Sequence, residues 1–308
     1  HYCHLAGAVG VAVETSAATG FQPTAGCLAP HLADARLLAL NSPLNPAGTG
    51  FAREQLKAIA QLVVDENRRR GPAAKPLFLL YDQIYWLLAD DSAPHITPVE
   101  LVPEVAPYTL MIDGISKAFA ATGLRVGWAI GPPFLISRMK DFLGHVGAWA
   151  PRPEQVATAE LFADPALVHA LSGAVREGVN LRLAALDRGL TRLAEKGYPV
   201  KHLPPTGALY LSVHFDLIAP GGRFENNRAI RQYLLEQAGF AIVPFHAFGT
   251  RSDNGWFRLS VGAVGSQGSG TKPNGPGAPT AMSSTPSPLT SPTPITAYPN
   301  WSPVSPSG

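Results

Sequence analysis

Short apolar runs and amphipathic stretches alternate along the first half of the chain. The runs lie near 9–13, 36–40, 76–81, 108–112 and 128–131, with turn-forming Gly, Pro, Asn and Asp residues around them. Such runs are the mark of strands buried in a sheet. The stretches 51–70 and 133–147 between them carry helical periodicity. In the first, Leu56, Ile59, Leu62 and Val63 fall on one stripe, the face such a helix lays on a sheet. This order predicts an α/β fold with a mainly parallel sheet covered by helices on both faces.

Beyond Asp164 the pattern becomes one long helix reaching Lys196. Leu167, Leu171, Val175, Val179, Leu183, Leu186, Leu190 and Leu193 recur in it at three- and four-residue steps. A heptad seam is the alternative, but the stretch is short for a coiled coil and lacks flanking charge pairs, so core packing is the reading. Strands at 199–203, 208–213 and 256–261, with a helix near 224–238, predict a smaller α+β C-terminal domain. After about Val264 the chain becomes a Gly, Pro, Ser and Thr mixture holding about a third of its 30 prolines. Such a composition buries too little apolar surface to order itself. The expected division is a large domain over 1–163, a small domain over 164–262 and a disordered tail over 263–308.

The composition narrows the function. With 46% hydrophobic residues in 308, the chain can build a sizeable core. A net charge of +2 gives no electrostatic case for nucleic acid. Lys and Arg are dispersed except for Arg68, Arg69 and Arg70 at a helix end, where basic residues favour the dipole and are expected to be solvated. The two cysteines, Cys3 and Cys27, give neither a disulfide framework nor a zinc spacing, so no metal is expected. The longest early apolar run, Leu5 to Val13, contains glycines and ends at Glu14, too short for a membrane span. Nor does the N-terminus read as a signal peptide, which leaves the cytoplasm as the default location.

Candidate chemistry concentrates at strand ends. Lys117 follows the run Tyr108 to Ile112 and precedes Arg125 by eight residues, in Asp113-Gly-Ile-Ser-Lys117-Ala-Phe-Ala-Ala-Thr-Gly-Leu-Arg125. A lysine in an apolar setting can lose its proton and attack carbonyls. Ile115, Ala118, Phe119 and Ala120 would supply that setting. The plain alternative is a solvated loop lysine. Asp82, in Tyr81-Asp82-Gln83-Ile84-Tyr85, stands at the mouth of a buried strand, where a carboxylate needs a cation or strong donor, or else serves as a cap or turn residue. Pro43, Pro46, Gly48 and Gly50 stiffen the turn that carries Asn45, which could equally be an ordinary strand-to-helix loop. Arg258, in Gly255-Trp-Phe-Arg258-Leu-Ser-Val261, is an arginine among apolar residues. That is the setting of a carboxylate-binding fork or of an internal salt bridge.

Together these segments resemble the class I and II aminotransferases, the fold type I pyridoxal-phosphate enzymes. The matches are Asn45-Pro46-Ala47-Gly48, Asp82-x-x-Tyr85, Ser116-Lys117 through Arg125, and Arg258-Leu-Ser260, in the family's order. Weaker likenesses are Pro205-Thr-Gly-Ala-Leu-Tyr210 and Val243-Pro-Phe-His-Ala-Phe-Gly249, and the likeness covers residues 1 to about 262. The resemblance implies that Lys117 carries pyridoxal 5'-phosphate as a Schiff base (aldimine) and moves the substrate proton. It implies that Asp82 faces the pyridine nitrogen, Tyr85 and Asn45 the phenolic oxygen, Ser116 and Arg125 the phosphate, and Arg258 the substrate carboxylate. Gly114 stands where some relatives have another hydroxyl.

The implied substrates are an amino acid and a 2-oxo acid held in a cleft between two domains of a homodimer. No nucleic acid and no membrane is implied. Against the family pattern, the chain is expected to begin inside the fold, after the first strand and part of the cofactor cradle, and to depart from the family in its tail. A lyase or synthase on the same fold, or a non-catalytic remnant, is the alternative to transamination.

Overall fold

A computed structural model describes residues 2–219 and 222–262. The tail from 263 lies outside the described residues, and so does its expected disorder. The described residues pack as one compact unit.

Two single-turn helices, α1 (Tyr2–Leu5) and α2 (Ala25–Leu28), precede the first strand. The first sheet has the order β1 (Leu37–Asn41), β2 (Phe78–Asp82), β3 (Thr109–Gly114), β4 (Gly127–Ile130). β1, β2 and β3 are parallel, and β4 runs antiparallel to β3 with Gly114 opposite Gly127. Helix α3 (Arg53–Arg70) covers one face, burying Leu56, Ile59 and Val63 against Leu38, Leu40, Leu79 and Tyr81. Leu37 and Phe78 pair on the opposite face, where Leu37 stays 53% exposed and Phe78 meets Phe134 at 6.1 Å.

Phe134 belongs to α5 (Pro133–Val146), a helix with no buried residue. A one-turn helix, α4 (Pro98–Leu101), lies between β2 and β3, with Thr97 accepting from Glu100 N. Buried Asn67 fastens α3 to the sheet by donating to Val63 O and Leu77 O and accepting from Leu77 N.

Arg70 corrects an expectation. Its side chain is 4% exposed, not solvated: it pairs with Glu66 and donates to the carbonyls of Leu32, Ala33, Ala35 and Lys75. The helix end sits over an irregular segment whose orphan carbonyls need donors, and a guanidinium supplies several at once. Arg68 and Arg69 remain exposed. Nor is the run 9–13 a strand. Val9 and Val11 are 90% and 64% exposed, with no ladder partner among the described residues, and an apolar run does not form a strand alone.

Helix α6 (Arg152–Phe162), unforeseen in the sequence, leads through the capping Asp164 and Pro165 into α7 (Pro165–Glu195). The middle of the α7 stripe is buried at Val179, Leu183 and Leu190, while Leu167, Leu171 and Leu193 stay more than 40% exposed. The second sheet, all antiparallel, has the order β5 (Val200–Leu203), β6 (Tyr210–Phe215), β8 (Trp256–Ser260), β7 (Val243–Pro244). Leu211, Val213, Phe257 and Leu259 meet α7 and α8 (Asn227–Ala238) in its core.

Candidate active site

The loop after β1 joins the two sheets. Gly48, at φ +76°, lies so close to β6 that a Cβ there would sit 2.0 Å from Tyr210 O. Gly48 O accepts from Thr206 N (2.8 Å) and Gly207 N (3.2 Å), Gly50 N donates to Thr206 Oγ1 (2.9 Å), and Ser212 Oγ donates to Ala47 O (2.9 Å). The loop has little freedom left. Within it Asn41 Oδ1 accepts from Asn45 N (2.8 Å) while its Nδ2 donates to Asp82 O (3.0 Å), and the Asn45–Pro46 peptide is cis.

Asn45 meets Arg258 across this junction. Arg258 Nη1 donates to Asn45 Oδ1 at 2.9 Å, joining residues 213 apart in sequence. The guanidinium lies over the rings of Tyr210 (4.6 Å) and Phe248 (4.8 Å), and its buried Nε has no hydrogen-bond partner. Among the described residues no carboxylate pairs with it, so the internal salt bridge weighed from the sequence is not what holds this arginine. A buried donor left unpaired costs about 1–3 kcal/mol, and a ligand carboxylate is the partner a planar fork best accommodates. With its oxygen committed to Arg258, Asn45 has its amide Nδ2 left as a donor.

Tyr85 is buried just before the 3-10 turn (Trp86–Leu88) that follows β2, with its hydroxyl 2.8 Å from that of Tyr210 and the rings edge to face at 5.6 Å. Burial pushes the phenol well above the ordinary tyrosine range, and the Tyr210 hydroxyl adds to the effect. Lys117 Nζ lies 5.9 Å from the Tyr85 ring centroid. Lys117 is half-buried in the turn after β3, with Ile115 and Ala118 buried beside it, Ser116 half-buried and Ala120 exposed. Phe162 of α6 holds the following segment, touching Phe119 (5.8 Å) and Trp128 (5.4 Å).

At the end of β2, Asp82 accepts from Ile84 N (3.1 Å) and has no cationic partner among the described residues. Burial raises its carboxyl above the usual range. Asp113, one strand over, accepts from Trp86 Nε1 (2.6 Å) and Gly114 N (2.7 Å), and burial pushes it up to about 6. Gly114 has a packing reason, since a Cβ there would meet Val126 O at 2.7 Å and no side chain fits. Arg125 is exposed, at φ 59°, and donates to Thr122 O (2.8 Å). The structure thus brings together Lys117, Tyr85, Asn45 and Arg258, through Tyr210. It sets Asp82 and Ser116 at adjoining strand ends and leaves Arg125 at the outer edge.

An open pocket of about 350 Å³ lined by Leu87, Phe162, Pro165, Val168, His169 and Ser172 contains none of these residues, and its mostly apolar wall lacks the charged groups the candidate chemistry needs. Among the described residues no group of three His, Cys, Asp or Glu could hold a metal ion, and no helix is long and apolar enough to cross a membrane. Sequence reasoning passed over Tyr210 and Phe248. Both lay inside the weaker motifs quoted above, and the Tyr210 position at the start of an apolar strand was the available signal.

The family profile described as aminotransferase class I and II matches residues 1–269. The chain is 33% identical over 252 residues to the aspartate/prephenate aminotransferase of Thermus thermophilus, covering 80% of this chain and 58% of that protein. It is 32% identical over 263 residues to an aspartate aminotransferase of Streptomyces avermitilis, covering 83% and 59%. A solved structure of the Thermus thermophilus aspartate aminotransferase with maleate superposes with a TM-score of 0.72 at 31% identity, over 85% of this chain and 62% of that one. The aromatic aminotransferase from Pyrococcus horikoshii gives 0.70 at 26% identity, over 82% and 62%. The chain spans less than two-thirds of the length of each of these relatives.

Proposed function

We propose, from the premise that this chain belongs to the class I and II aminotransferases, that it moves an amino group between an amino acid and a 2-oxo acid with pyridoxal 5'-phosphate. One observation carries the reading: Lys117, Tyr85, Asn45 and Arg258, drawn from both sheets, are linked through Tyr210, with Arg258 Nε and, at the adjoining strand end, the Asp82 carboxylate both lacking a charged partner.

That set fits the cofactor. A buried carboxylate at Asp82 would hold a proton on the pyridine nitrogen. Tyr85 and the Asn45 Nδ2 would donate to the phenolic oxygen. Ser116 and Arg125 would bind the phosphate, Arg125 by turning from the Thr122 carbonyl, and Arg258 would take the substrate carboxylate in its fork. Bound there, pyridoxal phosphate supplies an electron sink that makes a substrate α-proton removable. The Lys117 amine would be the base that takes that proton and returns it.

The reading includes a division at 163/164 into large and small parts, with the substrate between the two sheets where closure excludes water. A homodimer is part of it, supported by the exposed Phe134, Phe142 and Trp149. A cytoplasmic setting accords with two free cysteines.

The test is to add pyridoxal phosphate to the purified chain, reduce with borohydride and map the adduct by peptide mass spectrometry. An adduct on Lys117 that is lost in Lys117→Ala is expected, followed by transfer from an amino donor to a 2-oxo acid. Scattered labelling of surface lysines refutes the reading.

A further inference from the structure

Two of the candidate residues, Tyr85 and Arg258, touch one side chain to which no role has been given. Tyr210, at the start of β6 and buried, places its hydroxyl 2.8 Å from that of Tyr85. Its ring lies under the Arg258 guanidinium at 4.6 Å, and Arg258 in turn holds Asn45. Its backbone is pinned by the close approach of Gly48. The charged groups around the pair are Lys117 above the Tyr85 ring, Asp82 and Arg258.

A buried phenol has one proton to give. When Tyr85 donates it into the site, Tyr210 is the donor left to satisfy the Tyr85 oxygen, and the two hydroxyls then polarise each other in one direction. A planar guanidinium stacked on an aromatic face is held in orientation without losing any of its donors. We propose that Tyr210 is a positioning residue for both ends of the site: its hydroxyl directs the Tyr85 proton toward the cofactor's phenolic oxygen, and its ring sets the plane of the Arg258 fork for the substrate carboxylate. This rests on the function proposed above.

The two roles separate by substitution. In the full chain loaded with pyridoxal phosphate, Tyr85→Phe removes a donor to the phenolic oxygen, so the pH midpoint of the bound cofactor's absorbance should rise. Tyr210→Phe should move that midpoint in the same direction, and the double substitution should go no further than Tyr85→Phe alone. Succinate binding, read from the same absorbance, should stay within about twofold in Tyr210→Phe, which keeps the ring. It should weaken about tenfold in Tyr210→Leu, which does not.

An unmoved midpoint in Tyr210→Phe, additive shifts in the double variant, or full succinate affinity in Tyr210→Leu would overturn the proposal. If no chain takes up the cofactor, the proposed function fails first. The tyrosine pair is then read by urea unfolding of the cofactor-free chain. Tyr85→Phe and Tyr210→Phe should each lose stability and the double variant should lose less than their sum, whereas additive losses overturn the pairing.

Discussion

Gly48→Ala offers the most direct test of how the site is assembled. The added methyl would lie 2.0 Å from Tyr210 O and 2.7 Å from Tyr210 C, both backbone atoms, so no flexible side chain can yield. Holding a residue with a Cβ at φ +76° costs about 1–2 kcal/mol by itself. Relieving the overlap requires the loop to withdraw from β6 by about an ångström, which stretches the bonds from Thr206 N and Gly207 N to Gly48 O and from Ser212 Oγ to Ala47 O. At roughly 1 kcal/mol for each of the three bonds lost, the total is about 4–5 kcal/mol.

For a chain of this size that lowers the melting temperature by about 10 °C, measured by circular dichroism alongside urea unfolding. Gly239→Ala is the matched control: its φ is +63°, but nothing lies within 4 Å of the added Cβ, so only the backbone term of about 1 kcal/mol applies. Equal losses in the two variants would show that the Gly48 approach to Tyr210 does not hold the sheets together.

Three further outcomes follow from buried charge and donors. Asp113 has its carboxyl pushed up to about 6 by burial, so the native state takes up a proton that the unfolded chain lacks, and stability falls as pH rises through the range from about 4 to 6. Asp113→Asn should therefore stabilise the chain at pH 8, on the order of 1 kcal/mol after discounting for solvent screening, and by progressively less toward pH 4.5 in urea titrations; a gain independent of pH would contradict the assignment. His95 runs the other way. Burial against Tyr81 and Trp86 lowers it to about 4, so stability is lost as pH falls from about 6.5, and His95→Phe should flatten that acid limb in the same titrations. Arg70→Met should cost about 3 kcal/mol by stranding the carbonyls it caps, whereas Arg68→Met at an exposed position should change stability by less than about 0.5 kcal/mol; equal effects would refute the capping role.

How much of this could be read from the chain alone depended on whether the signal was local. The parallel strands announced themselves because residues buried among neighbours, such as Leu79 and Tyr81, form continuous apolar runs, and α3 did so through its single stripe. The direction of β4 is a property of pairing, set by the close passage of Gly127 beside Gly114, and no local pattern encodes it. The run 9–13 has strand composition without a partner, and α6 buries only Thr158, so its periodicity was too faint to register. Arg70 and Arg68 are identical in composition and neighbourhood along the sequence. Only the tertiary position of the Leu32–Ala35 segment distinguishes them.

The same distinction separates the two halves of the candidate site. Lys117, Asp82, Tyr85 and Asn45 sit at or just beyond the ends of first-sheet strands, where short local motifs single them out. Arg258 joins them from a different sheet, 213 residues from Asn45, and Tyr210 reaches Tyr85 across 125. Their meeting depends on the backbone contact at Gly48 and on the hydroxyls of Thr206 and Ser212, none of which is a chemical group of the proposed reaction. A perturbation of that seam should therefore withdraw Arg258, the proposed carboxylate-binding arginine, while leaving Lys117, Tyr85 and Asp82 on their own sheet. Cofactor uptake would then outlast substrate binding, and Gly48→Ala at temperatures below its transition is the variant in which to measure the two separately.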